Sequence, residues 1–355
     1  MPSFVKFMLR RLAAIPVTLL LITAVLYGLL MFSPATARAQ LYMPRGESHN
    51  PNLRPEVLLE QIIVSNGLRD PFPLQYARWA GSLLRGDWGW SPSLRGDVLE
   101  GLVFRTPATA ELALYSVVLF LPLGVISGLM AGIRNGRWQD HLFRMGAFVA
   151  TAIPPFVLGI VLLTVFYAGL QWFPVGRIGM ADQYLVQGAD FRTVTGLLTI
   201  DGLLNGMPEL SLRALWHLAL PAFTLSLLHW ATLGRITRAA VLEELDKDYV
   251  MAAKGRGLPR RWIVWRHILR NAMAPALNSV ALSAAALLTG VYLVEKIYSL
   301  PGISEFIVGS VRMAPDLPMA MGAAVYSVLM ILPLMLVLDM LQALVDPRLR
   351  EGLLF

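Results

Sequence analysis

Six stretches of this sequence, residues 12–32, 112–133, 145–176, 214–234, 271–294 and 317–338, contain no Asp, Glu, Lys or Arg. Each is long enough to cross a bilayer, which takes ~20 apolar residues. Lipid offers no hydrogen bonds, so a chain crossing it must satisfy its own N–H and C=O groups, and runs of this kind fold as helices. An apolar fraction of 56% against 15% charged residues belongs to the same class. The sequence therefore predicts an all-α integral membrane protein with six transmembrane helices.

The first run follows Lys6, Arg10 and Arg11 and precedes Ala37-Arg38-Ala39, which has the small-x-small spacing of a signal cleavage site. The run is longer than the core of a signal peptide, so we read a retained first helix. Residues 33–107 are polar and rich in Pro and Gly. Helical spacing at 56–66 and 74–84 predicts a small helical lobe on the outer membrane face. Two further polar segments lie at 177–213 and 295–316. Pro154-Pro155 falls inside the third run and predicts a broken helix. Breaks at membrane depth are tolerated where they face protein or a water-filled cavity. Thr151, Pro154, Pro155 and Phe156 are therefore candidate lining residues of a pathway. The expected division is 1–108 for the first helix and lobe, 109–345 for a five-helix core, and 346–355 for a tail.

Six spans place both termini on one side. The segments on that side carry Lys6, Arg10, Arg11, Arg134, Arg137, Arg144, Arg235, Arg238, Lys247, Lys254, Arg256, Arg260, Arg261, Arg266, Arg270, Arg348 and Arg350, more than half of the 30 Lys and Arg residues. The positive-inside rule makes that side cytoplasmic. The net charge of +7 is accounted for by this asymmetry, and no single-sign block of a nucleic-acid-binding kind exists.

Chemistry is scarce. With no Cys there is no thiol or disulfide chemistry. There is no G-x-x-x-x-G-K-[ST] phosphate loop, no H-E-x-x-H and no G-x-S-x-G. His217, His229 and His267 lack ligand spacing and read as structural, and no metal site is expected. Asp339, directly after the last uncharged run, is the one carboxylate read as lying well inside a span. Intramembrane acids are functional candidates, but this one lies under two turns from the cytoplasmic end, so a structural pairing with a basic loop residue is the expectation.

The loop 243–270 holds a concentrated set of charges between two apolar runs. Within it, 248–257 reads as a short helix, with Asp248 as N-cap, Ala252 and Ala253 in its body, and Gly257 followed by Pro259 ending it. So short a helix is marginal alone and needs a packing surface.

Ala252-Ala253, three residues, then Gly257, resembles the coupling loop ("EAA" motif) of binding-protein-dependent ABC importer permeases, with Met251 where the family has Glu. Arg10-Arg11, GLRDPFPLQYARW at 67–79 and GDWGWS at 86–91 resemble the outer lobe of the dipeptide/oligopeptide type. RTPATAEL at 105–112, Pro122-Leu123-Gly124, Asp248-Tyr249, Arg270-Asn271-Ala272 with Pro275, VEKIYSLPGISEF at 294–306, Asp339 and Asp346-Pro347-Arg348 continue the resemblance in order. The family's Arg-Asp-Tyr-Pro is represented by a shifted string at 312–318.

The resemblance implies a type I ABC importer permease fold in the cytoplasmic (inner) membrane of a prokaryote. It implies a second homologous permease subunit, two ABC ATPase subunits that bring ATP and Mg, and an extracytoplasmic substrate-binding protein. The chain itself would hold no cofactor and catalyse no reaction. Asp248, Tyr249, Ala252, Ala253, Lys254, Gly255, Arg256 and Gly257 would couple to an ATPase, with the small residues permitting close docking. Peptides, nickel chelates, glutathione or oligosaccharides all fit as cargo. The alternative, a secondary transporter or channel, calls for mid-membrane ionisable residues and often an inverted repeat, neither of which is evident.

Overall fold

The computed structural model describes residues 3–44, 55–307 and 316–345. The chain forms two compact units, one built on Ala108–Pro301 with Met1–Val5 and Leu334–Phe355, the other on Lys6–Pro107 and Gly302–Pro333.

The second of these begins with α1 (Ser3–Leu30), a short α2 (Ala35–Arg38) and a 3-10 turn at Ala39–Tyr42. The helices expected from periodicity follow as α3 (Pro55–Ser65) and α4 (Phe72–Leu84). The two-residue strands β1 (Trp90–Ser91) and β2 (Gly96–Asp97) then pair antiparallel, a hairpin that the all-helical expectation did not contain. Tyr27 of α1 is buried against Trp79, Phe72 and Tyr76 of α4, with ring centroids 5.1, 6.3 and 6.2 Å away, so α1 is packed into this unit. The buried Gln75 amide donates to Leu68 O (3.0 Å) and Asp70 O (2.5 Å) and accepts from Arg38 (2.5 Å). Further along, Asp316 is buried. It accepts from the hydroxyls of Ser91 and Ser93, each at 2.5 Å, and from the Met319 N–H at 3.1 Å, capping α14 (Leu317–Val345).

In the larger unit, α5 (Val98–Ile133) packs on α10 (Pro208–Leu245) with backbone close to backbone. A Cβ on Gly128 would lie 2.4 Å from Gly234 O, one on Gly132 2.6 Å from Val241, and one on Gly124 3.0 Å from Leu233. This G-x-x-x-G-x-x-x-G row is the small-residue packing of membrane helices. Trp230 of α10 donates to Ser127 of α5 at 3.0 Å. Between these helices run α6 (Trp138–Ala152), α7 (Pro155–Leu162) with a π-helical turn at Leu163–Gly169, α8 (Met180–Gln187) and α9 (Leu198–Leu204). After α10 come α11 (Asp248–Gly255), α12 (Arg260–Trp262), a second π-helical turn at Ile263–Ile268, and α13 (Leu269–Ile297). The main core joins Leu112, Phe120, Leu225, Leu233, Val291 and Tyr298.

Among the described residues three helical segments are long and apolar enough to cross a membrane, Met8–Leu30, Val98–Ile133 and Pro208–Leu245. The pair Trp138–Ala152 and Pro155–Gly169, bent by 99°, makes a fourth if it is one span. The fifth expected run lies in the 29-residue α13, and the sixth in α14, whose apolar part is Leu317–Pro333.

Candidate functional site

The loop between α10 and α13 folds as expected in outline and differs in detail. The helix is Asp248–Gly255, capped by Lys247 without a side-chain hydrogen bond. Asp248 is thus the first helical residue rather than the N-cap; its carboxylate still lies in the first turn, where the helix dipole favours it. The helix closes in a Schellman motif. Gly257 N–H donates to Lys254 O (3.0 Å) and Leu258 N–H to Ala253 O (3.2 Å). Gly257 sits at φ +73°, a conformation glycine adopts without steric cost.

The candidate residues divide between two faces. Val250 and Ala253, the latter 5% exposed, are buried with Leu129, Val241, Ile263, Val264, Ile268 and Ala272. Ala253, expected on a docking surface, is therefore part of the seat beneath the helix. Tyr249 also points inward. Its hydroxyl donates to Glu244 and accepts from the Asn271 amide at 2.9 Å. Burial first, and then the Glu244 carboxylate, raise its pKa above the ordinary phenol value. Asp248, Met251, Ala252, Lys254, Gly255, Arg256 and Gly257 are exposed. The outward face is thus small or unbranched at its centre, with Met251 56% exposed. No atom lies within 4 Å of the Cβ positions of Gly255 and Gly257.

Two contacts secure the surroundings. Buried Asp140 at the start of α6 accepts from Arg238 Nε (2.6 Å) and Nη2 (2.8 Å) of α10 and from Gly136 N–H (3.1 Å). Arg260 reaches the last turn of α5 at Ile133 O, 3.4 Å away. Sequence reasoning counted these charges only as markers of sidedness.

The double proline breaks the chain between α6 and α7. Ile153 and Pro154 are extended, and Pro155 opens α7 at a position where its missing N–H costs nothing. Thr151 turns its hydroxyl back to Ala147 O at 3.0 Å. Pro154 and Phe156 are exposed on this chain, and Thr151 and Pro155 are half-buried. The new helix is fixed by Tyr298, whose hydroxyl donates to Gly159 O (3.2 Å) and bonds Thr224 (2.9 Å). Asp339 lies within α14, but its side chain is outside the described residues, as are residues 346–355.

A second cluster went unseen in the sequence. Glu111, fully buried in α5, accepts from Arg177 (2.8 and 3.2 Å) and from the N–H and hydroxyl of Thr199, both 2.8 Å. Arg177 also donates to Gly196 O at 2.6 Å. Buried Asp201 accepts from Thr195 and Gly196 at 2.7 to 2.8 Å. The 177–213 loop is thereby tied to α5. The one available signal was a lone acid, Glu111, at the edge of an apolar run. His217 and His229 are buried beside Gly176 O (3.0 Å) and Phe120 (5.5 Å) respectively, as structural histidines are.

The sequence profile of a family described as "Binding-protein-dependent transport system inner membrane component" matches residues 121–351. The chain is 36% identical over 297 residues to the probable D,D-dipeptide transport system permease protein DdpB of Escherichia coli (strain K12), covering 84% of this chain and 86% of that one. It is 32% identical over 286 residues to the di/tripeptide transport system permease protein DppB of Pseudomonas aeruginosa (strain UCBPP-PA14), with 80% and 83% covered. Identity to the dipeptide transport system permease protein DppB of Escherichia coli (strain K12) is 30% over 347 residues, with 98% and 99% covered.

Proposed function

The chain belongs to the binding-protein-dependent transport system inner membrane components, the permease subunits of ABC importers, and from that premise we propose that its cargo is a peptide or peptide-like solute. Relatives named as permeases of D,D-dipeptide and di/tripeptide transport systems support this class. In this reading it pairs with a second, homologous permease. Two ATPase subunits, which bind ATP and Mg, sit beneath, and an extracytoplasmic binding protein delivers the cargo. Six spans cross the membrane with both termini in the cytoplasm, and residues 33–107 lie outside.

The observation that carries the mechanism is the two-sided α11. Its inner face, Tyr249, Val250 and Ala253, seats it on the ends of α10 and α13. Its outer face is small at Ala252 and Gly255 and flanked by the unbranched Met251, Lys254 and Arg256. A helix so seated transmits force as a lever: when ATP closes the ATPases, α11 moves with them and tilts the adjoining helices from the inward-open to the outward-open arrangement. Lys254 and Arg256 pair with acids on the ATPase. The exposed Pro154 and Phe156, with Thr151, face the central pathway between the two permeases.

Gly257→Asp tests the lever. The variant should reach the membrane, since the loop lies outside the spans, yet lose uptake in vesicles and retain ATPase subunits poorly in pull-downs. Normal transport would reduce this loop to a topological marker. Orientation is tested separately in this Cys-free chain. An impermeant thiol reagent applied to intact cells should label Ser48→Cys and spare Ser3→Cys, and the opposite pattern would reverse the arrangement.

A further inference from the structure

The segment from Pro259 to Arg270 has a face that the lever does not use. Ile263, Val264 and Ile268 are buried, seating the segment on Leu129, Val241 and Ala272. His267 and Leu269 are half-buried, and Arg260, Arg261, Trp262, Trp265, Arg266 and Arg270 are exposed. Trp262 is 47% and Trp265 55% exposed, and the Arg266 guanidinium lies 5.0 Å from the Trp262 ring centre. One of the four arginines, Arg260, is already engaged with Ile133 O. Among the described residues, Arg261, Arg266 and Arg270 form no salt bridge.

Two indoles facing water would be costly, and a surface of this kind marks a contact with something apolar at one edge. The chain itself supplies that edge. Arg270 is the last charged residue before the apolar stretch of α13, so Trp262 and Trp265 lie within about two to three helical turns of hydrocarbon. That is the level of the phospholipid headgroups, where Trp is favoured. Arginine at that level meets phosphate, which its planar fork binds by two parallel hydrogen bonds. A zwitterionic headgroup offers this phosphate with a compensating ammonium, whereas an anionic headgroup does not. Three arginines without an ionic partner among the described residues therefore select the anionic one.

We propose that the face formed by Arg261, Trp262, Trp265, Arg266 and Arg270 is a binding site for anionic phospholipid headgroups. The inference rests on α13 being a membrane span. Because α11 continues directly into this segment through Leu258 and Pro259, the bound lipid holds the far end of the lever at the membrane surface. Transport coupling then rises with the anionic lipid content of the bilayer.

The test is made on the purified chain in vesicles of phosphatidylcholine with or without phosphatidylglycerol, and needs neither peptide nor ATPase. Failure of the proposed transport function would therefore leave its readout intact. Headgroup-level spin-labelled lipids quench nearby indoles, and the difference between the native chain and Trp262→Phe/Trp265→Phe isolates these two from the other tryptophans. Labelled phosphatidylglycerol should quench this component more strongly than labelled phosphatidylcholine. Arg261→Gln/Arg266→Gln/Arg270→Gln should remove the preference, by about five-fold per arginine at low salt. Circular dichroism reports whether that variant is folded. Should it not fold, high salt applied to the native chain must remove the preference instead, because it screens headgroup charge but not apolar contact. Equal quenching by both lipids would overturn the proposal, leaving ordinary interfacial tryptophans. So would an absence of quenching of this component by either lipid, which would place the two indoles away from the headgroups.

Discussion

The 177–213 loop and the 246–258 loop both connect helices of the larger unit, and they are fastened to it by different means. The first is clipped by charge. Glu111 and Asp201, both fully buried, take hydrogen bonds from Arg177, Thr195, Gly196 and Thr199. The second rests on small apolar contacts around Val250 and Ala253, with a polar strut from Glu244 through Tyr249 to Asn271. Buried charge is exacting in geometry, and breaking one member of a pair is expensive. Apolar seats tolerate sliding. In the proposed orientation the difference assigns rigidity to a loop outside the membrane, and adjustable seating to the loop proposed to meet the ATPase.

The largest effect should come from removing the clip. Glu111→Ala leaves Arg177 without its carboxylate in a largely buried site and should cost about 3–5 kcal/mol. The readouts are a lower unfolding temperature in detergent and faster proteolysis within 177–213, with cleavage in 246–258 unchanged. Equal loosening of both loops would show that they are one cooperative body. The next effect tests what lies between them. Gly128→Leu puts a side chain where even Cβ is 2.4 Å from the Gly234 carbonyl, and overpacking of this kind costs about 1–3 kcal/mol. It should separate α5 from α10 and lower thermal stability, and an unchanged unfolding temperature would deny the close approach. The smallest stability effect is expected at Tyr249→Phe, which deletes the strut and costs about 0.5–1.5 kcal/mol per hydrogen bond. Here the unfolding temperature should fall clearly less than in Glu111→Ala while ATP-driven uptake falls. A loss of stability matching that of Glu111→Ala would erase the distinction between the two loops.

Much of this was legible beforehand because the signals are local. The helices at 55–65 and 72–84 follow from spacing, the break before Pro155 from the ring that removes a donor, and the positive φ at Gly257 from its place after a short helix. What was missed depends on partners distant in sequence. Glu111 meets Arg177 66 residues on and Thr199 88 residues on, and neither segment announces the other. α10 outruns its apolar stretch at both ends, from Pro208 to Leu245, because helix continuity depends on packing against its neighbours as well as on what lipid demands. Ala252 and Ala253 are chemically identical, and only the position of the seat decides that one is buried and the other exposed.

Asp316 has a consequence for how the protein is made. Its carboxylate fastens Ser91 across 225 residues of chain. During synthesis at ~5–20 residues per second, that partner emerges on the order of ten to forty-five seconds after the hairpin. Throughout that interval the Ser91 and Ser93 hydroxyls have no carboxylate to bind. The lobe that begins at the N-terminus is therefore among the last parts to be completed, and a ribosome stalled before residue 316 would present it unfinished to the insertion and quality-control machinery.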